Sequence, residues 1–295
     1  MNHRLKPVRM LGVSTACTLL ILGGAAVAQQ DFTKVEIKTT KVSGPIYMLE
    51  GAGGNVAVCV GDDGVLIVDD EFAPLAARIK ASIAKLCDKP IKFVVNTHFH
   101  GDHTGGNVEF GGSALIVAHD NVRKRLKAPP GSPKEALPVV TFNDSATVHL
   151  NGEEVRAIHI PHGHTDGDSM IFFPGANVVH MGDDFVTYGF PFVDTASGGS
   201  ISGIIAGVEK AIGSLPPNVK VIPGHGPLST PDDVRKYIAM LKGTRELVAE
   251  ALKDGKTTDQ MKADHLLAKF DEEYGKGFIK ADKWIDQLAE DVKGK

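Results

Sequence analysis

Four times along the chain, a short apolar run ends in a loop crowded with histidine, aspartate and glycine. "IKFVVN" leads into "THFHGDHTGGN", which carries His98, His100, Asp102 and His103; "AIHI" leads into "PHGHTDGD" with His164. "NVVHMG" leads into "DDF" with Asp183, and "VKVIP" into "GHG" with His225. Short apolar runs bounded by turn residues read as buried strands. Loops at strand ends carry function on a rigid scaffold, so four such loops point to one shared site. Four more strand-like runs, "VEIKTTKV", "PIYML", "NVAVCV" and "VLIVD", open the folded part, and "APLAARIKASIAKL" and "ISGIIAGVEKAIGSL" have helical period. Strands, helix, strand, helix and then the same mixture again predict an α/β protein with two sheets covered by helices, in place of a single wound parallel sheet. Thr230 followed by Pro231 marks the start of a long helix, and the last forty or so residues read as charged and helical, with no chemistry of their own.

Histidine and aspartate are ligands of first-row metals. One cation can be held by His98, His100 and His164, three imidazoles that leave a coordination position open, as a catalytic zinc site does. A second can be held by Asp102, His103 and His225, because alternation along the loop turns its ligand pairs in different directions. Asp183 is placed to bridge the two. Two metals roughly 3.5–4 Å apart would hold a hydroxide between them, and Asp102 would orient that nucleophile and shuttle its proton. Asp69, which ends "VLIV", is either an orienting carboxylate for a ligand imidazole or a turn residue. His162 lines the pocket, while His119, His149, His159 and His180 read as structural or surface residues. No His-Glu-x-x-His helix or Gly-x-Ser-x-Gly elbow occurs. "DGKTT" has Glu250 where a phosphate-binding loop needs its first glycine.

The first residues stand apart. "MNHRLKPVR" is basic, "MLGVSTACTLLILGG" is too short for a confident membrane span, and "AVA" ends at Ala28 in the style of a signal-peptidase site. Residues 1–28 are therefore expected to be a signal peptide, residues 29–235 the metal-binding domain and 236–295 a helical C-terminal extension packed on it. The mature chain is expected in the periplasm, without membrane insertion. The leader carries Arg4, Lys6 and Arg9 and no acid, so its loss takes the formal charge from −4 to −7. That acidity argues against a nucleic-acid partner. Cys59, in a buried-strand pattern, and Cys87, near a helix end, read as free thiols.

Taken together, "THFHGDH", "GHT" at Gly163–Thr165, "GDD" at Gly182–Asp184 and "GHG" at Gly224–Gly226 resemble the ordered motifs of the metallo-β-lactamase superfamily, over about Val35 to Tyr237. The resemblance implies a four-layer αβ/βα sandwich with the metal site at one edge of its sheets. It also implies two zinc ions on the residues assigned above, and hydrolysis of an ester, thioester, amide or phosphoester. The cysteine-bearing dizinc β-lactamases have a cysteine near the Asp183–Asp184 position and, three residues on, a lysine for the drug's carboxylate; the corresponding residues here are Val186 and Thr187, so that cation is missing. The sequence is in this respect more similar to hydroxyacylglutathione hydrolases and lactonases. His100 stands against the flavodiiron branch, which has glutamate there. The expected activity is thus attack on a small-molecule lactam, lactone, ester or thioester by a metal-bound hydroxide, with β-lactamase activity weak. Two other readings stay open: an enzyme with one Fe2+, like the related persulfide dioxygenases, and a metal-binding protein without turnover.

Overall fold

A computed structural model describes residues 31–294; the expected signal peptide and its cleavage point lie outside them. The first sheet has seven strands in sequence order. They are β1 (Lys38–Ser43), β2 (Ile46–Glu50), β3 (Val56–Cys59), β4 (Val65–Val68), β5 (Ile91–Val95), β6 (Leu115–His119) and β7 (Val140–Phe142). β1 to β4 form an antiparallel meander, and β4 to β7 run parallel. The second sheet contains β8 (Ser145–Leu150), β9 (Glu153–His159), β10 (Ser169–Phe173), β11 (Val178–His180) and β12 (Lys220–Ile222), in the order β12-β11-β10-β9-β8. Only its β11–β12 pair is parallel.

Side-chain alternation builds four layers from these sheets, because successive residues of a strand face opposite sides. In β4, Leu66 and Val68 join Ile171, Phe173 and Ile222 of the second sheet in a core between the sheets. Val65 and Ile67 turn the other way, onto Ile79 and Ile83 of α1 (Ala76–Ala84). Short helices α2 (Gly101–Thr104) and α3 (Asn107–Phe110) follow β5, and α4 (Asp120–Lys127) follows β6. On the far side, Met170, Val179 and Val221 pack under α5 (Ile201–Ser214) and α6 (Pro231–Lys253). α7 (Thr258–Ala263), α8 (Ala268–Tyr274) and α9 (Ala281–Val292) complete that layer. The architecture is the expected αβ/βα sandwich with a helical C-terminal region.

α6 starts where Thr230 and Pro231 predict, with a capping box between Thr230 and Asp233. The expected boundary at 235/236 falls inside this helix. Trp284 of α9 is fully buried, stacks on Phe190 at 5.7 Å, and donates its indole N–H to Thr244 of α6 at 3.1 Å. Cys59 and Cys87 are free thiols. Two details differ from the sequence expectation. The first strand begins at Lys38, not Val35, because Arg78 takes the carbonyls of Thr33 and Val35 with 3.0 and 3.1 Å bonds in place of a neighbouring strand. The loop after β5 is wound into the single turns of α2 and α3.

One edge of the sandwich is tied across the two sheets. Asn55 donates its backbone N–H to Gly224 O at 2.7 Å and its side-chain amide to Pro223 O and Gly226 O. Ser169 N–H donates to Thr97 O at 2.8 Å. The loops after β4, β5, β9, β11 and β12 meet at this edge.

Candidate metal centre

All seven predicted ligands come together there. His98, His100 and His164 form one group, Asp102, His103 and His225 another, and His98, His103 and Asp183 a third between them; within each group the ligand atoms lie within 4.8 Å of one another. Asp183 Oδ1 is 3.2 Å from His103 Nε2 and 3.5 Å from His225 Nε2, and its Oδ2 is 3.8 Å from His164 Nε2. Asp184 turns away, accepting His164 N–H at 3.0 Å beside the buried Asp168.

Each ring's outward nitrogen decides what its inward nitrogen can do. Asp69 is wholly buried and accepts Thr97 N–H at 2.7 Å, Thr97 Oγ1–H at 2.7 Å and His103 Nδ1–H at 2.8 Å. With its proton on Asp69, the Thr97 hydroxyl accepts from His98 Nδ1 at 3.0 Å. His100 Nε2 donates to Asp194 at 3.0 Å, and His164 Nδ1 to Phe192 O at 2.8 Å. These bonds turn lone pairs inward on His98 Nε2, His100 Nδ1, His103 Nε2 and His164 Nε2. His100 Nδ1 and His164 Nε2, both turned inward as lone pairs, are only 2.9 Å apart. Two lone pairs cannot hydrogen-bond each other; a cation or a proton must lie between them. His98 Nε2 and Asp183 Oδ1 are also buried without a hydrogen-bond partner, which is uncommon unless an ion is bound. The donor set therefore fits metal ions.

Titration agrees. Burial depresses His98 well below the ordinary imidazole range and His164 to about 4, so both stay neutral ligands. Burial opposes charging of His103, yet Asp183 and Asp69 together hold it well above that range when no cation is bound. Burial likewise opposes ionisation of Asp102 and Asp183. His225 and His103 overcome it, bringing Asp102 to about 2 and Asp183 well below its usual value. Asp184 goes the other way, raised to about 7, chiefly by burial.

Gly54 faces the His103 ring, and a Cβ there would lie 2.2 Å from it; only glycine lets this backbone close behind the site. The site opens into a cleft of about 450 Å³ walled by Tyr188, Phe192 and Phe278, with Asp102, Asp183 and His225 at its floor. Among the described residues lining it there is no lysine or arginine. Tyr188 is raised by burial and by Asp183, so its phenol keeps its proton. Val186 and Thr187 do not face a substrate: Val186 is buried, and Thr187 donates its N–H and hydroxyl to His225 O at 3.1 and 3.2 Å, which fixes the His225 loop. His162 is exposed, with its ring on Gly198 O and outside the cleft. His119 and His159 stack on each other at 3.8 Å, His180 is buried, and His149 is exposed. Thr97, Asp194, Tyr188, Phe192 and Phe278 were not foreseen from sequence; only Thr97 carried a signal, as the residue before the first histidine.

A sequence profile described as the metallo-beta-lactamase superfamily matches residues 49–225, which span every ligand-bearing loop. The chain belongs to the metallo-β-lactamase superfamily. Among curated proteins it is 28% identical over 185 residues to the lactamase-like protein aptB of Emericella nidulans, covering 61% of this chain and 54% of that one. It is 28% identical over 180 residues to a hydroxyacylglutathione hydrolase of Pelagibacter ubique (57% and 68%). It is 25% identical over 222 residues to the atrochrysone carboxyl ACP thioesterase of Aspergillus fumigatus (74% and 48%). The chain spans about half the length of several curated relatives that it matches. Among solved structures, the DIM-1 metallo-beta-lactamase superposes with a TM-score of 0.61 at 18% identity, covering 71% of this chain and 99% of that one. The superfamily match and the geometry agree in placing these histidines and aspartates where they can hold metal.

Proposed function

We propose that this metallo-β-lactamase-fold protein is a periplasmic hydrolase that binds two zinc ions and opens uncharged lactones, thioesters or esters, with weak activity on β-lactams. The observation that carries this reading is the set of inward lone pairs, each fixed by an outward hydrogen bond. His98, His100 and His164 would hold one ion, Asp102, His103 and His225 the other, and Asp183 would reach both. When bound, such ions lower the pKa of water and polarise a carbonyl.

The chain's own groups supply the rest. Asp102 is ionised at any working pH and partly open to the cleft, so it accepts a hydrogen bond from an entering water and orients it. Tyr188, a neutral phenol, lines the cleft. Asp69, Thr97, Asp194 and the Phe192 carbonyl hold the imidazoles still. A lining that lacks Lys and Arg gives a β-lactam carboxylate no side-chain partner, and the relatives described as a hydroxyacylglutathione hydrolase and a thioesterase support a thioester.

Metal analysis of the protein purified without added metal, followed by a panel of lactones, thioesters, esters and β-lactams on the zinc-loaded chain, tests the reading. About two zinc per chain and turnover of the uncharged substrates are expected. One iron per chain with oxygen-dependent persulfide turnover, or no turnover of any panel member by the metal-loaded protein, would overturn it.

A further inference from the structure

The C-terminal region, which carries no motif, delivers a side chain to the mouth of the metal cleft. Phe278 lies between α8 and α9 and is 80% exposed, yet it lines the same cleft as Asp102, Asp183 and His225. Its backbone is fixed. Phe190 N–H donates to Tyr274 O at 3.0 Å, Phe190 and Ile279 form an antiparallel bridge, and Ile279 is buried beside Phe278. The two segments approach so closely that a Cβ on Gly277 would lie 2.4 Å from Tyr188 O, and one on Gly189 2.4 Å from Tyr274 O. Those contacts hold Tyr188 and Phe278 on one wall. Phe192 stands on another, with ring centroids 5.8 Å from His164 and 6.1 Å from His100.

We infer that Phe278 is a specificity-determining residue whose exposed ring seats an apolar, uncharged group of the substrate while the carbonyl lies at the histidine–aspartate floor. This rests on the hydrolase reading above and names the substrate class. Three aromatic side chains lining the cleft favour an aryl or alkyl group. Among the described residues the lining holds no lysine or arginine, so an anionic group seated against the aromatic side chains has no side-chain partner there. An aromatic ring carried on a fixed backbone and left in water at the mouth of a cleft is the surface that a bound ligand would cover.

The test uses the full mature, zinc-loaded chain and three neutral thioesters: S-ethyl thioacetate, S-benzyl thioacetate and S-ethyl phenylthioacetate, followed by thiol release. At least one aryl compound should show a KM about tenfold below that of S-ethyl thioacetate. Phe278→Ala should remove that difference by raising KM for the aryl compound about tenfold, and Phe278→Leu should keep part of it. Because Phe278 is exposed, neither change threatens folding. Binding of the ketone isosteres, with methylene in place of sulfur, is followed in parallel by saturation-transfer NMR. Isosteres that bind the wild type and lose contact in Phe278→Ala, without thioester turnover in either, would support the seat and sink the hydrolase reading. Turnover with the same aryl preference in Phe278→Ala would overturn the seat and leave that reading standing.

Discussion

Asp69 is the sharpest point at which to press on the metal centre, and Asp69→Asn is the perturbation that isolates its charge. The residue sits at φ 62°, a left-handed conformation that asparagine tolerates nearly as well as aspartate, so the backbone should survive. The carboxylate accepts three hydrogen bonds, two from Thr97 and one from His103 Nδ1. An asparagine oxygen can keep the Thr97 N–H bond, but its NH2 then faces two donors. His103 loses a charge-assisted bond of about 2 kcal/mol, and its Nδ1 proton is no longer fixed away from the site. About 2 kcal/mol is roughly 30-fold in affinity, within the range seen when groups that orient metal ligands are removed. The ion on Asp102, His103 and His225 should weaken by about that factor. The ion on His98 should weaken less, since Asp69 reaches it only through the Thr97 hydroxyl. Competition against a chromophoric chelator resolves the two equivalents. Two unchanged affinities in a folded Asp69→Asn protein would refute the idea that this carboxylate sets both imidazoles.

Asp183→Asn should reduce occupancy of the second equivalent, whereas Asp184→Asn should leave metal content near wild type; metal analysis of both decides, and the reverse ranking would move the bridge to Asp184. Gly54→Ala should displace the His103 ring and cost most of the second equivalent, read by the same titration with the melting temperature alongside. In the metal-free protein, His164 is neutral down to about 4 against an ordinary value of 6.5. Between those limits the unfolded chain binds a proton that the folded chain refuses, so stability is lost as pH falls from 6.5 to 4, by up to about 3 kcal/mol. Urea titrations of wild type and His164→Gln should show that difference in slope across the window, and parallel pH curves would remove His164 from the account. N-terminal sequencing of exported protein should return Gln29 first; Met1 would contradict export with cleavage.

How much of this was legible in the sequence depends on how local the signal is. His98, His100, Asp102 and His103 sit in one loop after one strand, and the apolar runs before His164, Asp183 and His225 announce strand ends, so the ligand set and the two-sheet sandwich could both be read. Alternation such as Leu66 inward and Ile67 outward is carried by the residues themselves. Groups that act at a distance in sequence were not legible. Asp194 lies 94 residues from His100, and the Phe192 carbonyl is backbone, which no residue type advertises. Val35 looks like part of a strand but gives its carbonyl to Arg78, more than forty residues on.

Val186 and Thr187 show why substrate is harder to read than chemistry. From sequence they mark the absence of an anchoring cation. In the structure they hold the backbone of the His225 loop, through the Val186–His225 bridge and the two bonds from Thr187 to His225 O. A segment that elsewhere contacts substrate is here part of the support for a metal ligand, so placing a lysine at 187 would first remove the hydroxyl bond to His225 O. The cleft is lined by side chains from segments without motif: Tyr188 and Phe192 from the long loop after β11, and Phe278 from beyond α8. Metal ligation tolerates few residue types and leaves a pattern, whereas an apolar wall accepts any large hydrophobe from any loop that reaches it. The metal-binding chemistry is therefore written in four short motifs, and substrate choice in residues that only the folded chain brings together.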